Sequence, residues 1–179
     1  VFGGQTYQVV PDSAHRFDNG DLTLADLLAF KLTQDPGLPA LTISTATPAT
    51  NALVTLIGRG RNRGAATTWN APPPLGNFDG WLWASSSAQR WGTNHVSDRS
   101  ETVLDTQSFG LQFNDIASPP AGEHEAAAAN GDSGGAVFIK RSGSWQLAGI
   151  LFAYAGYEGQ PSSTSLFGNV TWASDLSLY

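Results

Sequence analysis

The residues best placed to do chemistry lie in Asn130-Gly131-Asp132-Ser133-Gly134-Gly135, which runs directly into the apolar stretch Ala136-Val137-Phe138-Ile139. Ser133 is a candidate nucleophile. The glycines around it let the backbone adopt conformations that a Cβ forbids, so the amides of Gly131 and Ser133 can face one point and form an oxyanion hole. At average composition Gly-Asp-Ser-Gly-Gly arises by chance on the order of once per million positions. Gly, Asp and Ser also cluster in ordinary turns, and a surface turn is the bland alternative.

A serine nucleophile needs a base, and a carboxylate to orient that base. The chain has three histidines. His124 stands nine residues before Ser133, in the segment that would wall the site. His124-Glu125 opens like a zinc-protease motif, but the position four after His124 is Ala128, so the second ligand is missing and no metal is expected. His95 follows Trp91-Gly92-Thr93-Asn94 on a strand or turn. Without ligand spacing, these two read first as structural or exposed histidines. The absence of cysteine excludes thiol catalysis, disulfides and cysteine-ligated metals.

The elements that must position such a site are strands. With 179 residues the chain is long enough for one domain or two small packed halves. Its 20 Gly, 10 Pro and abundant Thr, Ser, Val and aromatic residues predict an all-β fold of short strands and turns. Strands are expected at Thr6 to Val10, Leu41 to Ser44, Ala52 to Ile57, Trp81 to Ala84, Gln89 to Gly92, within Glu101 to Asn114, and at Gly135 to Lys140, Trp145 to Ala153 and Ser165 to Trp172. Local propensity favours helix only at Leu22 to Leu32, with Asp21 as its N-cap. Gly58 to Gly64, with three arginines, reads as a solvated hairpin turn rather than a phosphate loop. Asn70 to Gly80 reads as a Pro/Gly loop, and Asp115 to Ala129 as an irregular loop leading to the serine. A net charge of -6 argues against a nucleic-acid partner, and no apolar run approaches the length of a membrane span. No leader-like stretch precedes Val1, so either a leader has been removed or the chain is a fragment.

Gly131-Asp132-Ser133-Gly134-Gly135, with Ala25-Asp26-Leu27-Leu28-Ala29-Phe30-Lys31-Leu32 and Leu147-Ala148-Gly149-Ile150-Leu151, resembles the chymotrypsin/trypsin-like serine endopeptidases. Arg90-Trp91-Gly92-Thr93-Asn94 and Phe167-Gly168-Asn169 are most similar to cysteine-free bacterial members. The resemblance implies a double β-barrel, with Ser133 as nucleophile, Asp26 as the triad aspartate, and the amides of Gly131 and Ser133 as oxyanion hole. It also converts Leu22 to Leu32 from helix to a barrel strand. His15, in Ser13-Ala14-His15, is rejected as the base, because the family places several strands between histidine and aspartate and 11 residues cannot supply them. Val1-Phe2-Gly3-Gly4 echoes the family's activated amino terminus but stands too close to Asp26 to be it.

The resemblance therefore implies that residues 1–47 are the remainder of an N-terminal barrel and 48–179 the C-terminal barrel. The first barrel is incomplete, its histidine lies upstream of Val1, and the C-terminal helix is absent. It further implies acyl-enzyme hydrolysis of a protein or peptide substrate without cofactor, in a secreted, periplasmic or cell-surface setting. By family register Ala127 floors the primary pocket, and Asn130 and Phe152-Ala153-Tyr154 line it, which predicts an apolar P1 residue. Two alternatives stay open. One is a catalytically dead protease-fold binding or regulatory protein. The other is a β-rich carbohydrate-binding domain in which Trp81, Trp83 and Trp91 stack on sugars. Asn169-Val170-Thr171 matters as a glycosylation site only in a eukaryotic secretory route.

Overall fold

Strands that alternate apolar and polar residues bury one side only, and that period is visible throughout the computed structural model, which describes residues 5–179. In β3 (Leu53–Gly58) Val54 and Leu56 point inward, and in β8 (Ala136–Arg141) Val137 and Ile139 do so. They share a core with Val96, Phe109, Leu111, Ala148, Leu151 and Ala173, contributed by β6 (Arg90–Val103), β7 (Thr106–Gln112), β9 (Ser144–Ala155) and β11 (Val170–Asp175). These six strands close into an antiparallel barrel in the order β11-β7-β6-β3-β8-β9, with β9 hydrogen-bonded back to β11. Closure leaves the barrel with no free edge. The expected all-β barrel class is therefore the class observed.

A second sheet of three strands stands beside the barrel, in the order β10-β5-β4. Here β4 (Arg61–Ala71) and β5 (Gly76–Ser87) form one long hairpin, joined by β10 (Thr164–Leu166). Two expectations are corrected by it. Asn70 to Gly80 is not a loop: the turn is confined to Pro72–Leu75, where Leu75 N donates to Pro72 O at 3.1 Å, and strand runs on both sides. Gly58 to Gly64 is not a hairpin turn either, since β3 pairs with β6 and β8 whereas β4 pairs with β5. The glycines carry the chain out of the barrel and into the second sheet.

Upstream, β1 (His15–Asp18) and β2 (Leu24–Ala29) make a two-stranded sheet. The helical propensity of Leu22 to Leu32 loses to this pairing. Asp21 still makes a cap-like contact, accepting from the amide and hydroxyl of Thr23, but it closes a turn before a strand. Those bonds hold its carboxyl below the usual carboxylate range. The sheet is pinned to the barrel by Asp26 N, which donates to Thr106 Oγ1 at 2.8 Å, and by Asn19 Nδ2, which donates to the Asp105 carbonyl at 2.6 Å. On β2 Ala25 and Leu27 are buried, while Leu24, Asp26 and Leu28 face outward.

Thr6 to Val10 and Leu41 to Ser44 contribute single bridges, Val9 to Leu32 and Ile43 to Leu147, rather than strands. The strand expected at Ser165 to Trp172 divides into β10 and β11, and the one within Glu101 to Asn114 into the end of β6 and all of β7. After β11 the chain makes one 3-10 turn, Leu176–Leu178. Val1-Phe2-Gly3-Gly4 lies outside the described residues.

Candidate active site

Ser133 sits in the turn that enters β8, and that turn is shaped by two glycines in the left-handed region, Gly131 at φ +95 and Gly134 at φ +83. Its backbone is fixed from both sides. Asp132 N donates to Ala129 O at 3.0 Å, Gly135 N to Asp132 O at 2.8 Å, and Gly134 N to Leu151 O at 2.8 Å. Asp132 completes the frame with its carboxylate, which accepts from Gly60 N at 2.6 Å and from Ala129 N at 2.9 Å. A Cβ on Gly58 or Gly60 would collide with that carboxylate, so both glycines are required by its presence.

This frame leaves the amides of Gly131 and Ser133 without an acceptor among the described residues. Ser133 is exposed, and its hydroxyl has no partner among them either. Two free N–H groups beside a free hydroxyl are what a tetrahedral oxyanion and its nucleophile require.

The cleft next to Ser133 has a volume of about 240 Å³. It is lined by Asn130 and Gly131, by Ala128 and Ala129, and by Leu151, Phe152, Ala153 and Tyr154 of β9. Four of the five expected substrate-binding residues thus converge on the expected nucleophile. Ala127 is placed elsewhere: it lines a neighbouring cavity of about 700 Å³, between the barrel and the three-stranded sheet.

Asp26 is exposed on the outward face of β2, and its carboxylate accepts no hydrogen bond among the described residues. None of the three histidines hydrogen-bonds to Ser133 or Asp26. His15 packs edge-on against Phe17, with ring centroids 4.9 Å apart. His124 packs edge-on against Trp91, also at 4.9 Å. His95 has its Nδ1 buried without a partner among the described residues. No group of three or more metal-ligating side chains is found among those residues.

Several residues that hold the site were not singled out from the sequence. Asn94, fully buried in β6, accepts from His95 N at 2.6 Å and donates to the Ala126 carbonyl at 2.9 Å. Thr171 Oγ1 accepts from Ala128 N at 2.8 Å. Glu125 Oε1 accepts from Asn114 N at 3.1 Å, and burial raises the Glu125 carboxyl above its ordinary range. Together these polar groups tie down the otherwise irregular segment 115–129, which lines the larger cavity and ends in the cleft residues Ala128 and Ala129. A buried Asn inside an alternating strand was the available signal for the first of them.

No protein-family model matches the chain, and no curated protein is similar to it in sequence.

Proposed function

We propose that this chain carries the nucleophile, oxyanion hole and substrate cleft of a serine endopeptidase of the chymotrypsin/trypsin type. The observation that carries the reading is the pair of acceptor-free amides, Gly131 and Ser133, at an exposed serine over an apolar cleft. In this reading Ser133 Oγ attacks the carbonyl carbon of a peptide bond and a histidine takes its proton. The carbon–nitrogen bond then breaks, the departing amine receives that proton, and water hydrolyses the resulting Ser133 ester. One oxyanion donor is typically worth about 3 kcal/mol of transition-state stabilisation.

The histidine comes from a segment outside these 179 residues. Support for such a segment lies on β2, where Leu24 (45 % exposed), Leu28 (56 %) and Phe30 (51 %) flank Asp26 on one outward stripe. A two-stranded sheet with an apolar stripe of this kind gains stability when further strands cover it. Covering it would also desolvate Asp26, as an aspartate that orients an imidazole requires. The chain alone is accordingly inactive, since loss of a triad histidine costs on the order of a million-fold in turnover.

The cleft walls predict cleavage after an apolar residue. The test is hydrolysis of peptides with Phe, Leu, Ala or Arg at P1 by the polypeptide extended upstream of Val1. The reading expects Phe or Leu to lead and Ser133→Ala to abolish turnover; an Arg optimum would refute the specificity. The carbohydrate-binding alternative finds an open ring at Trp91, 61 % exposed, and engaged side chains at its other two tryptophans. The Arg63 guanidinium covers Trp81 at 4.4 Å from the ring centroid, and Trp83 Nε1 donates to Ser165 Oγ at 2.7 Å.

A further inference from the structure

Tyr154, 49 % exposed, stands on the wall of the Ser133 cleft near the end of β9. A half-exposed tyrosine has several rotamers open to it, so a cleft wall that includes one keeps its shape only where something holds the ring. The Tyr154 hydroxyl makes no hydrogen bond among the described residues. Its ring meets one other ring among them, that of Trp83, with centroids 5.4 Å apart and planes at 79°. This is the edge-to-face arrangement that aromatic pairs prefer.

Trp83 comes from β5, in the sheet beside the barrel, and is itself held twice. Trp83 N donates to Ser163 O at 2.8 Å and Trp83 Nε1 donates to Ser165 Oγ at 2.7 Å, so one short segment around β10 fixes both its backbone and its indole. The sheet continues on either side of it: Thr164 pairs with Leu82 and Ser165 with Trp81, while Arg63 of β4 pairs with Trp83.

The backbone of the wall is pinned from the barrel instead. Tyr154 pairs with Thr171 of β11, whose Oγ1 accepts from Ala128 N at 2.8 Å, and Ala128 lines the same cleft. Barrel pairing thus places the Cα of Tyr154, and Trp83 is the directional restraint on its ring. Trp83 does not line the cleft, so any effect it has there passes through Tyr154.

We infer that Trp83 is a positioning residue for the Ser133 cleft: it holds Tyr154 in the wall, and the three-stranded sheet thereby sets the cleft's shape for the side chain that occupies it. This role rests on the endopeptidase reading for the choice of occupant, the apolar side chain of a peptide. An unpinned Tyr154 has to be ordered each time a ligand binds, and immobilising one such side chain costs about threefold to tenfold in affinity. The loss falls on binding, because the Ser133 turn is framed by other residues.

The test reads binding and hydrolysis separately. Binding of the product-type peptide acetyl-Ala-Ala-Leu to the 179-residue chain is measured by titration calorimetry, and hydrolysis of Leu-P1 peptides by the polypeptide extended upstream of Val1 is followed in parallel. Trp83→Ala is expected to weaken binding about threefold to tenfold and to raise KM by a similar factor with little change in kcat. Trp83→Phe, which keeps a ring against Tyr154, should restore most of the affinity. Tyr154→Ala should cause a comparable loss, and adding Trp83→Ala to it should bring no further loss, because the two act in series. Ser165→Ala frees the indole while leaving it in place, and should weaken binding in the same direction by a smaller factor. Trp145→Ala, at an exposed tryptophan outside both cavities, should change nothing. Additive losses in the double variant, affinity unaltered by both Trp83→Ala and Ser165→Ala, or no saturable peptide binding would overturn the inference. Peptide binding with the series behaviour, in an extended polypeptide that hydrolyses nothing, would uphold the role of Trp83 and refute the endopeptidase reading alone.

Discussion

The backbone amide of Gly60 donates to Oδ1 of Asp132 across 2.6 Å, and a Cβ on Gly60 would overlap that same carboxylate. The turn that leaves the barrel for the second sheet is therefore also the buttress of the Ser133 turn. Gly60→Ala should push Asp132 off its two amides and destabilise the fold by about 1–3 kcal/mol, the usual range for overpacking. Gly122→Ala, at a glycine with nothing within 4 Å, should stay within about 0.5 kcal/mol of the parent. Urea denaturation midpoints of the two variants measure the contrast, and equal midpoints would remove Gly60 from its role.

Asn94 makes the same kind of demand from inside β6. Asn94→Ala leaves the part-buried His95 amide and Ala126 carbonyl without this partner, and should cost about 1–3 kcal/mol. Hydrogen exchange should accelerate in segment 115–129 before it does in the barrel strands. Uniform acceleration across the barrel would mean that Asn94 supports the core and not the cleft wall.

The local elements and the turn at Ser133 were legible in sequence where one local signal decided the outcome. Alternation at Val54 and Leu56, and at Val137 and Ile139, gave the strands, and the glycines around Ser133 gave the turn with its two free amides. What local signals could not give was the partner of a strand. Gly58 to Gly64 has the composition of a hairpin turn, yet it switches sheets, because the partner of β4 is β5 and the carboxylate that explains the glycines is 72 residues away. Leu22 to Leu32 is helical by propensity and extended by pairing with β1, a choice that only tertiary contacts make. The cavity that collects Trp91, Glu125 and Ala127 is likewise invisible in sequence, since its outer wall is the β4-β5-β10 sheet.

Glu125 should leave a pH signature on stability. Desolvation raises its carboxyl above the ordinary glutamate range in the folded chain, so between the ordinary and the raised pKa the folded state holds the proton more tightly than the unfolded state. This contribution is fully present below the ordinary glutamate pKa and is lost as pH rises through the raised one. Glu125→Gln keeps an acceptor for Asn114 N and removes the titration. Denaturation midpoints taken at steps from pH 4 to 7 should show the difference, variant minus parent, growing more favourable to the variant as pH rises. A difference that is flat, or that falls with pH, would contradict the assignment.

The nucleophilic standing of Ser133 is tested most directly by a fluorophosphonate probe, read by mass spectrometry of the labelled peptide. The polypeptide extended upstream of Val1 is predicted to be labelled at Ser133, and its Ser133→Ala variant is predicted to be unlabelled. The 179-residue chain is predicted to remain unlabelled, because none of its three histidines hydrogen-bonds to Ser133. Failure of the extended polypeptide to react would contradict the hydrolase reading, and Ser133-dependent labelling of the 179-residue chain would show that the base lies within it.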